Sequence, residues 1–349
     1  MSLQIEKTPR FKVVITDSSH PSNEPEKQVL AGLAEVQILS PHQWKNEEEL
    51  IKALREADGI LNESIPLTRH IIESLEKCRI IVRYGVGYDN VDVEAAAERG
   101  ILVCNVPDYC MDEVAEHTMA LILALNRRLL QLDGALKAGV WDWKLFRPIR
   151  PLKGAVLGIV GFGRIGATVA ERARAFSLRI VAFDPYVGEE RIRSHGAEPL
   201  KLEALLEASD IVSLHVPLTK DTYHMIGEKE LRLMKKTAYI VNTSRGSLID
   251  SRALYTALSE GWIAGAALDV WEKEPPGKEE PLLRLPNVIA TPHIAWYSEE
   301  SLKRLQVRAA EEVARVLRGE KPRSPVNLMM MREREREGRE GREGRKKTL

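Results

Sequence analysis

The chain has 349 residues, of which 44% are apolar and 29% are charged, and its formal net charge is zero. This length favours two domains of roughly 100 to 200 residues each, and the balanced charge argues against a nucleic-acid partner or a strongly charged membrane surface. Because no apolar run reaches the ~18 residues that span a bilayer and the first residues lack a signal-peptide pattern, we expect a soluble cytoplasmic protein with a small-molecule partner.

In the N-terminal part, short β-branched runs alternate with charged, helix-like stretches such as 47–57. This alternation is the βαβ pattern of a parallel sheet that is covered on both faces. The predicted strands are 11–15, 36–39, 59–61, 79–82 and 101–103. We therefore predict an α/β domain with a doubly wound parallel sheet.

A long apolar helix is predicted from Met111 to Arg128, and its last residues, Arg127 and Arg128, complement the helix dipole. A second βαβ series follows. Its six predicted strands are 155–160, 179–183, 211–215, 238–242, 264–269 and 288–290. The series predicts a second doubly wound sheet, followed by a helix over 298–319.

The last residues, 331–349, are almost entirely Arg, Glu, Gly and Lys. Such a composition buries no apolar area, so we predict a charged, disordered tail without a catalytic role. An isolated helix held by Glu–Arg pairs is the alternative.

Three cysteines, Cys78, Cys104 and Cys110, show no CxxC spacing. The odd number and the spacing predict neither a disulfide framework nor a metal site, and we interpret the three as core or near-surface thiols.

A glycine-rich turn, Gly161-x-Gly163-x-x-Gly166, directly follows the first strand of the second series and opens a helix-like run. In a dinucleotide-binding interpretation, Gly161 permits the tight turn, Gly163 lets the backbone approach the pyrophosphate, and Gly166 lets helix and strand pack closely. Asp184 ends the next strand, where its carboxylate would accept hydrogen bonds from ribose hydroxyls and repel a 2′-phosphate. The pattern therefore predicts NAD rather than NADP as the cofactor.

Polar side chains also follow the later strands. Arg245 lies on a loop of small residues after one strand, Glu274 follows the next, and His293 follows the last. The carboxyl ends of parallel strands share one edge of a sheet, so these three side chains should converge there.

This set suits the interconversion of 2-oxo acids and 2-hydroxy acids. Arg245 can pair with the carboxylate and carbonyl oxygens of the substrate. His293 can give a proton to the carbonyl oxygen or take one from the hydroxyl. Glu274 can orient the imidazole of His293 and favour its protonated form.

Several further motifs accompany these residues. They are RYGVGYDNVD (83–92), NVP (105–107), VAEHT (114–118), HVPLT (215–219), NTSRG (242–246), LDVWEKEP (268–275) and TPH (291–293). Together with the glycine loop, they resemble the motifs of the D-isomer-specific 2-hydroxyacid dehydrogenases, over the chain to about Val326. In this resemblance the catalytic arginine, acid and histidine match Arg245, Glu274 (rather than Glu272) and His293.

The resemblance implies a Rossmann NAD-binding domain, 106–298, inserted into a flavodoxin-like substrate domain, 1–105 and 299–330. It also implies a homodimer. The active site would lie in the cleft, where the amides of Val86 and Gly87 help to hold the substrate carboxylate. The implied cofactor contacts include the three loop glycines, Asp184, and Thr118, Arg164, Ile165, His215, Val216, Pro217, Thr243, Ser244, Arg245, Asp269 and His293.

One segment departs from the commonest family pattern. After His293, the usual small glycines are replaced by Ile294-Ala295-Trp296-Tyr297, which resembles the C-terminal-binding-protein corepressors of the same superfamily. We expect Trp296 to enter the substrate cleft and favour a 2-oxo acid with an apolar or thioether side chain; a Trp296 packed at the hinge is the alternative.

Two functions are thus open. One is an NAD-dependent enzyme acting on 2-oxo and D-2-hydroxy acids, with glyoxylate, hydroxypyruvate or 3-phosphoglycerate as alternative substrates. The other is a dimeric NAD(H)-sensing interaction protein of the corepressor type. The set of Arg245, Glu274 and His293 favours the enzyme, because a sensor needs only the nucleotide pocket.

Overall fold

A computed structural model describes residues 10–334 and 336 of the chain. The described residues form two compact units: one ends at 109 and resumes at 298, and the other spans 110–297. The family resemblance predicts the two domain boundaries after residues 105 and 298.

The first unit is built on a five-stranded parallel sheet with the order β2-β1-β3-β4-β5. The strands are β1 (Phe11–Ile15), β2 (Ala34–Ile38), β3 (Gly59–Asn62), β4 (Ile80–Arg83) and β5 (Leu102–Cys104). This order is that of flavodoxin-like folds. The helices between the strands are α1 (Glu24–Leu30), α2 (Pro41–Lys45), α3 (Glu47–Leu54), α4 (Arg69–Glu73) and α5 (Val93–Glu98).

The second unit is built on a seven-stranded sheet, also parallel throughout. Its strands are β6 (Val156–Val160), β7 (Arg179–Phe183), β8 (Glu198–Pro199), β9 (Ile211–Leu214), β10 (Tyr239–Asn242), β11 (Gly265–Leu268) and β12 (Val288–Ala290). Their order is β12-β11-β10-β9-β6-β7-β8. The chain therefore reverses direction across the sheet between β6 and β9, the Rossmann switch point at which dinucleotides bind.

Helices cover both faces of this second sheet. They are α6 (Met111–Arg127), α7 (Leu129–Lys137), α8 (Arg164–Ala175), α9 (Glu189–Ser194), α10 (Leu202–Ala208), α11 (Glu228–Leu233) and α12 (Ser251–Ser259). One apolar cluster includes Met119 and Val169, and another includes Leu231 and Leu254. The predicted long helix ends one residue early, because Arg128 adopts the left-handed conformation with φ 52°.

The chain then returns to the first unit in α13 (Glu299–Leu317), whose first turn is capped by Ser298 and Ser301. This helix packs against α1 and against strands β3 and β4. Beneath it lies a buried polar cluster in which Tyr84 Oη and Gln306 Nε2 both donate to the carboxylate of Glu26. The cluster joins α1 to α13 through a charge that water does not reach.

The prediction of a disordered tail from residue 331 onwards is wrong for residues 331–334. Residues 331–334 continue a helix that starts at 328, and Met331 N donates to Asn327 O at 3.2 Å. This is the helix that the sequence analysis gave as the alternative, and Arg334 also pairs with Glu98 of α5 at 2.8 Å. Of the remainder of the predicted tail, Arg336 is helical, and residues 335 and 337–349 lie outside the described part of the chain.

All three cysteines are free thiols, as predicted: Cys104 and Cys110 are buried and Cys78 is partly buried. Burial raises the pKa of the Cys78 thiol to about 12, so this thiol stays protonated and unreactive at neutral pH. Within the described residues no helix is long and apolar enough to cross a membrane, and no group of three His, Cys, Asp or Glu side chains is placed to hold a metal ion.

Candidate active site

The predicted functional segments of the second unit meet at one edge of its sheet. The glycine loop follows β6, and Asp184 follows β7. His215, Arg245, Asp269 and His293 lie on the segments after β9, β10, β11 and β12. Because all seven strands are parallel, these segments share the carboxyl edge, where doubly wound sheets bind their ligands.

The glycine loop contains two positions that exclude any other residue. Gly161 has φ 94°, and a Cβ there would lie 2.6 Å from the carbonyl of His215. A Cβ on Gly166 would lie 2.1 Å from the carbonyl oxygen of Gly161. The first glycine therefore makes the turn and the last one lets α8 approach β6, as the sequence predicted.

Gly163 differs from these two glycines. No atom of the described residues lies within 4 Å of the place that its Cβ would occupy. It is also the residue before α8, a 12-residue helix whose first N–H groups receive no side-chain cap among those residues. Space beside an uncapped helix N-terminus is what a pyrophosphate group requires.

The carboxylate of Asp184 holds the turn in shape. Its Oδ2 accepts from Phe162 N at 2.8 Å, and its Oδ1 accepts from Tyr186 N at 2.8 Å and Val187 N at 3.2 Å. Asp184 thus ties the glycine loop to the segment after β7. Oδ1 already accepts two hydrogen bonds, whereas Oδ2 accepts one and can accept another, so the predicted contact to a ribose hydroxyl is compatible with this geometry at Oδ2.

The segment after β9 packs directly behind the glycine loop. Val216 is buried, and His215 donates from its backbone N to Val160 O at 2.7 Å. Burial lowers the pKa of the His215 imidazole to about 4, so this side chain is neutral at physiological pH and brings no charge to the phosphates. Its Nε2 lies 2.9 Å from Ser213 Oγ. The neighbouring Pro217 is exposed and accepts from Thr222 through its carbonyl.

Two hydroxyl groups join α6 to the segment after β10. Thr118 Oγ1 donates to Val114 O at 2.7 Å and lies 3.0 Å from Thr243 Oγ1. Since the single hydroxyl proton of Thr118 is used within its helix, Thr243 donates to Thr118. Ser244 Oγ in turn donates to Val216 O at 2.6 Å, which connects this segment to the one after β9.

Arg245 stands on a loop that is pressed against the next one. Asn242 Nδ2 donates to Arg245 O at 2.8 Å, and the Arg245 guanidinium donates to Ser244 O at 2.8 Å. A Cβ on Gly246 would lie 1.9 Å from the carbonyl carbon of Trp271. A glycine at 246 therefore lets the loop of Arg245 lie against the loop that carries Glu274.

His293 and Glu274 form a direct pair. His293 Nδ1 lies 2.6 Å from Glu274 Oε2, and Glu274 Oε1 accepts from Trp271 N at 3.0 Å. Glu272 instead contacts His224 at 2.9 Å. The histidine thus pairs with Glu274 rather than Glu272, which is the match that the family motif implied.

The environment of Glu274 keeps its carboxyl ionised. Burial alone would raise its pKa, but the hydrogen bond and charge of His293, the amide of Trp271 and the charge of Arg245 lower it by more. The net pKa lies below its ordinary value, and Arg245 is close enough to contribute. Arginine, carboxylate and imidazole are thus electrostatically coupled at one edge of the sheet.

The backbone of His293 is strained. Its φ of 52° lies in the left-handed region, which residues other than glycine adopt at some cost. The buried Asp269 holds this conformation, because its carbonyl accepts from His293 N at 2.7 Å and its carboxylate accepts from Ile294 N at 3.0 Å and Ala295 N at 2.9 Å. Such strain at a polar site is typical of functional residues.

Thr291 and His117 complete this arrangement; both lie in motifs named above, but the sequence analysis assigned a role to neither. Thr291 Oγ1 donates to Asp269 Oδ1 at 2.5 Å and lies 3.1 Å from His117 Nε2. Residue 117 is far from 269 and 291 along the chain, so no local spacing indicates the contact. Only the packing of α6 against β10 and β11 reveals it.

The remaining predicted contacts lie on other segments. Val86 and Gly87 follow β4 in the first unit, where Asn105 Nδ2 donates to Val86 O at 2.6 Å. Trp296 lies near the end of the second unit and packs edge-to-face on Tyr297, with ring centroids 5.5 Å apart. The substrate contacts of these residues stay predictions.

Comparison with known proteins decides the family. Residues 119–295 match the family model described as D-isomer specific 2-hydroxyacid dehydrogenase, NAD binding domain. The chain belongs to the D-isomer-specific 2-hydroxyacid dehydrogenase family.

Individual members of the family are similar over most of the chain. A D-3-phosphoglycerate dehydrogenase of Methanocaldococcus jannaschii is 45% identical over 319 residues, which are 91% of this chain but only 59% of that relative's length. A glyoxylate reductase of Korarchaeum cryptofilum is 44% identical over 301 residues, 83% of this chain and 90% of that relative. A solved D-lactate dehydrogenase of Aquifex aeolicus, complexed with NAD and lactic acid, has a TM-score of 0.78 at 31% identity and covers 88% of this chain and 96% of its own.

Membership in the family confirms the predicted fold, enzyme class and cofactor. The chain is an NAD-dependent 2-hydroxyacid dehydrogenase with two parallel-sheet domains, one of them a Rossmann fold. The residues present fit this cofactor, since the uncapped N-terminus of α8 and the open space at Gly163 can take its pyrophosphate. The proposed likeness to the corepressor branch stays a prediction.

Proposed function

We propose that this dehydrogenase interconverts 2-oxo acids and D-2-hydroxy acids, with Arg245 binding the substrate, His293 transferring the proton and Glu274 tuning His293. The observation that carries the proposal is the 2.6 Å contact between His293 Nδ1 and Glu274 Oε2, beside the charge of Arg245. A nucleotide sensor has no use for such a pair, so the enzyme is favoured over the corepressor-like alternative.

Arg245 is the anchor for the substrate in this proposal. Its guanidinium carries five N–H donors in a plane, and the bond to Ser244 O occupies one of its nitrogens. The fork can pair with a carboxylate oxygen and the adjacent carbonyl oxygen of a 2-oxo acid. This pairing orients C2 and stabilises the negative charge that develops on its oxygen during reduction.

His293 moves the proton. Glu274 engages Nδ1, so Nε2 is the nitrogen that can serve the substrate. The nicotinamide of bound NADH supplies the hydride to C2 during reduction and accepts it during oxidation. As the carbonyl becomes a C–H and an O–H, His293 Nε2 gives its proton to the oxygen; in oxidation it takes that proton back.

Glu274 acts on His293 in two ways. Its carboxylate holds the ring in one orientation, and its negative charge stabilises the imidazolium before the proton leaves. The bond from Trp271 N keeps Oε1 in place, so that Oε2 faces the ring. Because this carboxylate is already held in place, no free energy is spent on ordering it during the reaction.

Two observations favour different side chains for the substrate. Relatives named for glyoxylate and 3-phosphoglycerate favour small or phosphorylated acids. The half-buried Trp296, which replaces a small residue of the common pattern, favours an apolar or thioether side chain. Glyoxylate, hydroxypyruvate, 3-phosphohydroxypyruvate, phenylpyruvate and 4-methylthio-2-oxobutyrate therefore form the first test panel.

A homodimer also belongs to the proposal. Residues 129–145 expose an apolar surface that includes Leu136, Trp141, Trp143 and Leu145, with Trp141 88% exposed. Several large apolar side chains exposed within one short segment favour a protein–protein contact there. A cytoplasmic location stays a prediction.

The role of His293 is tested by replacing it with asparagine, which keeps the backbone capable of φ near 52°. We expect kcat to fall at least ~100-fold, because the proton carrier is lost, while the dissociation constant of NADH changes less than about threefold. Steady-state kinetics and NADH fluorescence titration measure the two. Tenfold weaker NADH binding with unchanged turnover would contradict the assigned role.

A further inference from the structure

The loop that carries His293 is held by a hydrogen-bond network within the second unit, centred on a buried carboxylate. The network consists of His117 on α6, Asp269 after β11 and Thr291 after β12. Asp269 is completely buried, Thr291 is partly buried, and the side chain of His117 is 23% exposed. None of the three has a chemical step in the proposed reaction.

The direction of each hydrogen bond follows from the groups involved. A carboxylate only accepts, so the Thr291 hydroxyl donates to Asp269 Oδ1. That hydroxyl has one proton, so it can only accept from His117. His117 Nε2 therefore carries a proton, and it also lies 3.6 Å from Asp269 Oδ1. The order of donation runs from His117 to Thr291 to Asp269.

At its far end, the network reaches the strained backbone. Asp269 Oδ1 also accepts from Ile294 N, and Oδ2 accepts from Ala295 N, so both carboxylate oxygens are engaged with the loop. These two hydrogen bonds and the one from His293 N to Asp269 O together hold His293 at φ 52°. A left-handed non-glycine residue persists only where its surroundings fix it.

We propose that His117 and Thr291 are positioning residues for His293, acting through the Asp269 carboxylate. This inference rests on the proposed function of His293. It assigns Asp269 first of all to the loop, whereas the family resemblance implied a contact with the cofactor. A small shift of the loop moves the imidazole relative to the substrate, and a displacement of about 1 Å can lower turnover about 100-fold.

The test removes single groups without changing shape. Thr291→Val replaces the hydroxyl by a methyl group, His117→Leu removes the donor, and His117→Gln keeps an N–H at similar reach. Thr256→Val and His70→Leu are the matched controls: the Thr256 hydroxyl bonds only within α12, and the side chain of His70 is 75% exposed. Thermal unfolding confirms that each variant is folded.

Amide hydrogen exchange of Ile294 and Ala295, followed by NMR without substrate, is the direct measurement. We expect exchange about 5-fold faster in Thr291→Val and His117→Leu, since one hydrogen bond contributes about 1 kcal/mol. In His117→Gln and the two controls it should stay within about twofold. Unchanged exchange in both loss variants would overturn the proposal.

Kinetics separates positioning from cofactor binding. In Thr291→Val and His117→Leu we expect kcat to fall about 10-fold or more, with the NADH dissociation constant within about threefold and near-normal kcat in His117→Gln. A 10-fold weaker NADH complex with unchanged kcat would instead make these residues cofactor contacts. If the unmodified protein reduces no 2-oxo acid, the proposed function fails, while the exchange rates still test the network.

Discussion

Glu274 combines charge and hydrogen bonding with a proposed role in catalysis. It contacts His293 through one oxygen and Trp271 N through the other, and the charge of Arg245 acts on it as well. Its side chain is still 37% exposed, so water screens these interactions and the pair contributes to orientation more than to stability.

The lowered pKa of Glu274 predicts how activity depends on pH. Because its folded pKa lies below the ordinary 4.5, the carboxylate and its bond to His293 persist at neutral pH and are lost only as the pH falls below that value. We expect kcat/KM for the reduction of a 2-oxo acid to show no loss from Glu274 between pH 7 and about pH 5.

The matched variant is Glu274→Gln, which keeps the shape and the oxygen for Trp271 N but cannot titrate. We expect its kcat/KM to be at least ~10-fold lower throughout. An acid loss centred above pH 5 in the unmodified enzyme, absent from Glu274→Gln, would show that the carboxyl is not stabilised as described.

At the scale of elements, the turn between β6 and α8 carries the proposed cofactor site, and its three glycines have different surroundings. Gly161 and Gly166 have no room for a side chain, whereas the Cβ position of Gly163 is open as far as the described residues extend. The fold therefore requires the first two glycines, and we expect the bound cofactor to require the third.

Alanine substitutions separate these tasks. Gly163→Ala should leave the midpoint of thermal unfolding within ~2 °C and weaken NADH binding at least ~10-fold, because the methyl group enters the space assigned to the pyrophosphate. Gly161→Ala should destabilise the protein by about 2 kcal/mol or more, since φ 94° and the His215 carbonyl both oppose a Cβ. Calorimetry and fluorescence titration measure both. Equal loss of stability in the two variants would refute the distinction.

The elements themselves could largely be predicted from the sequence. Buried parallel strands are continuous apolar runs, so β1, β7 and β12 were predicted with their observed bounds. The two-residue strand Glu198–Pro199 was missed, because it lacks an apolar run and its proline restricts it to the sheet edge. The helix at 328–334 was predicted only as the alternative to a disordered tail, and its ion pair with Glu98 joins residues that are far apart along the chain.

The site was predictable to a similar extent and for a similar reason. Parallel strands bring their carboxyl ends together, so the loops of Arg245, Glu274 and His293 could be placed at one edge from their order alone. The contact of His117 with Thr291 could not, because it depends on how α6 packs on the sheet. Neither could the left-handed backbone of His293, which no residue type indicates.

At the scale of the whole molecule, the chain forms two separate sheets. In the second unit, two surfaces have different predicted partners. The polar groups of the proposed reaction lie at the carboxyl edge of its sheet, while residues 129–145 expose leucine and tryptophan side chains. The first surface suits a small acid and the second suits another protein chain.

The proposed homodimer predicts a change of mass on substitution. Trp141→Glu places a charge on this apolar surface and should convert a dimer into a monomer, because a buried unpaired charge opposes association. Light scattering after size exclusion measures the mass, with Tyr186→Glu, an equally exposed aromatic after Asp184, as the control. A monomeric unmodified protein, or a dimer that Trp141→Glu leaves intact, would contradict the assigned interface.

The central claim is that the paired His293 and Glu274, with Arg245, perform hydride-coupled proton transfer on a 2-oxo acid. Its most direct test is the oxidation of NADH by the unmodified protein with the five acids of the panel, with chiral analysis of the product. The account predicts that at least one acid is reduced and that the product is the D-2-hydroxy acid for every reduced acid except glyoxylate, whose product, glycolate, is achiral. Tight NADH binding without oxidation by any of the acids, or an L product, would contradict it.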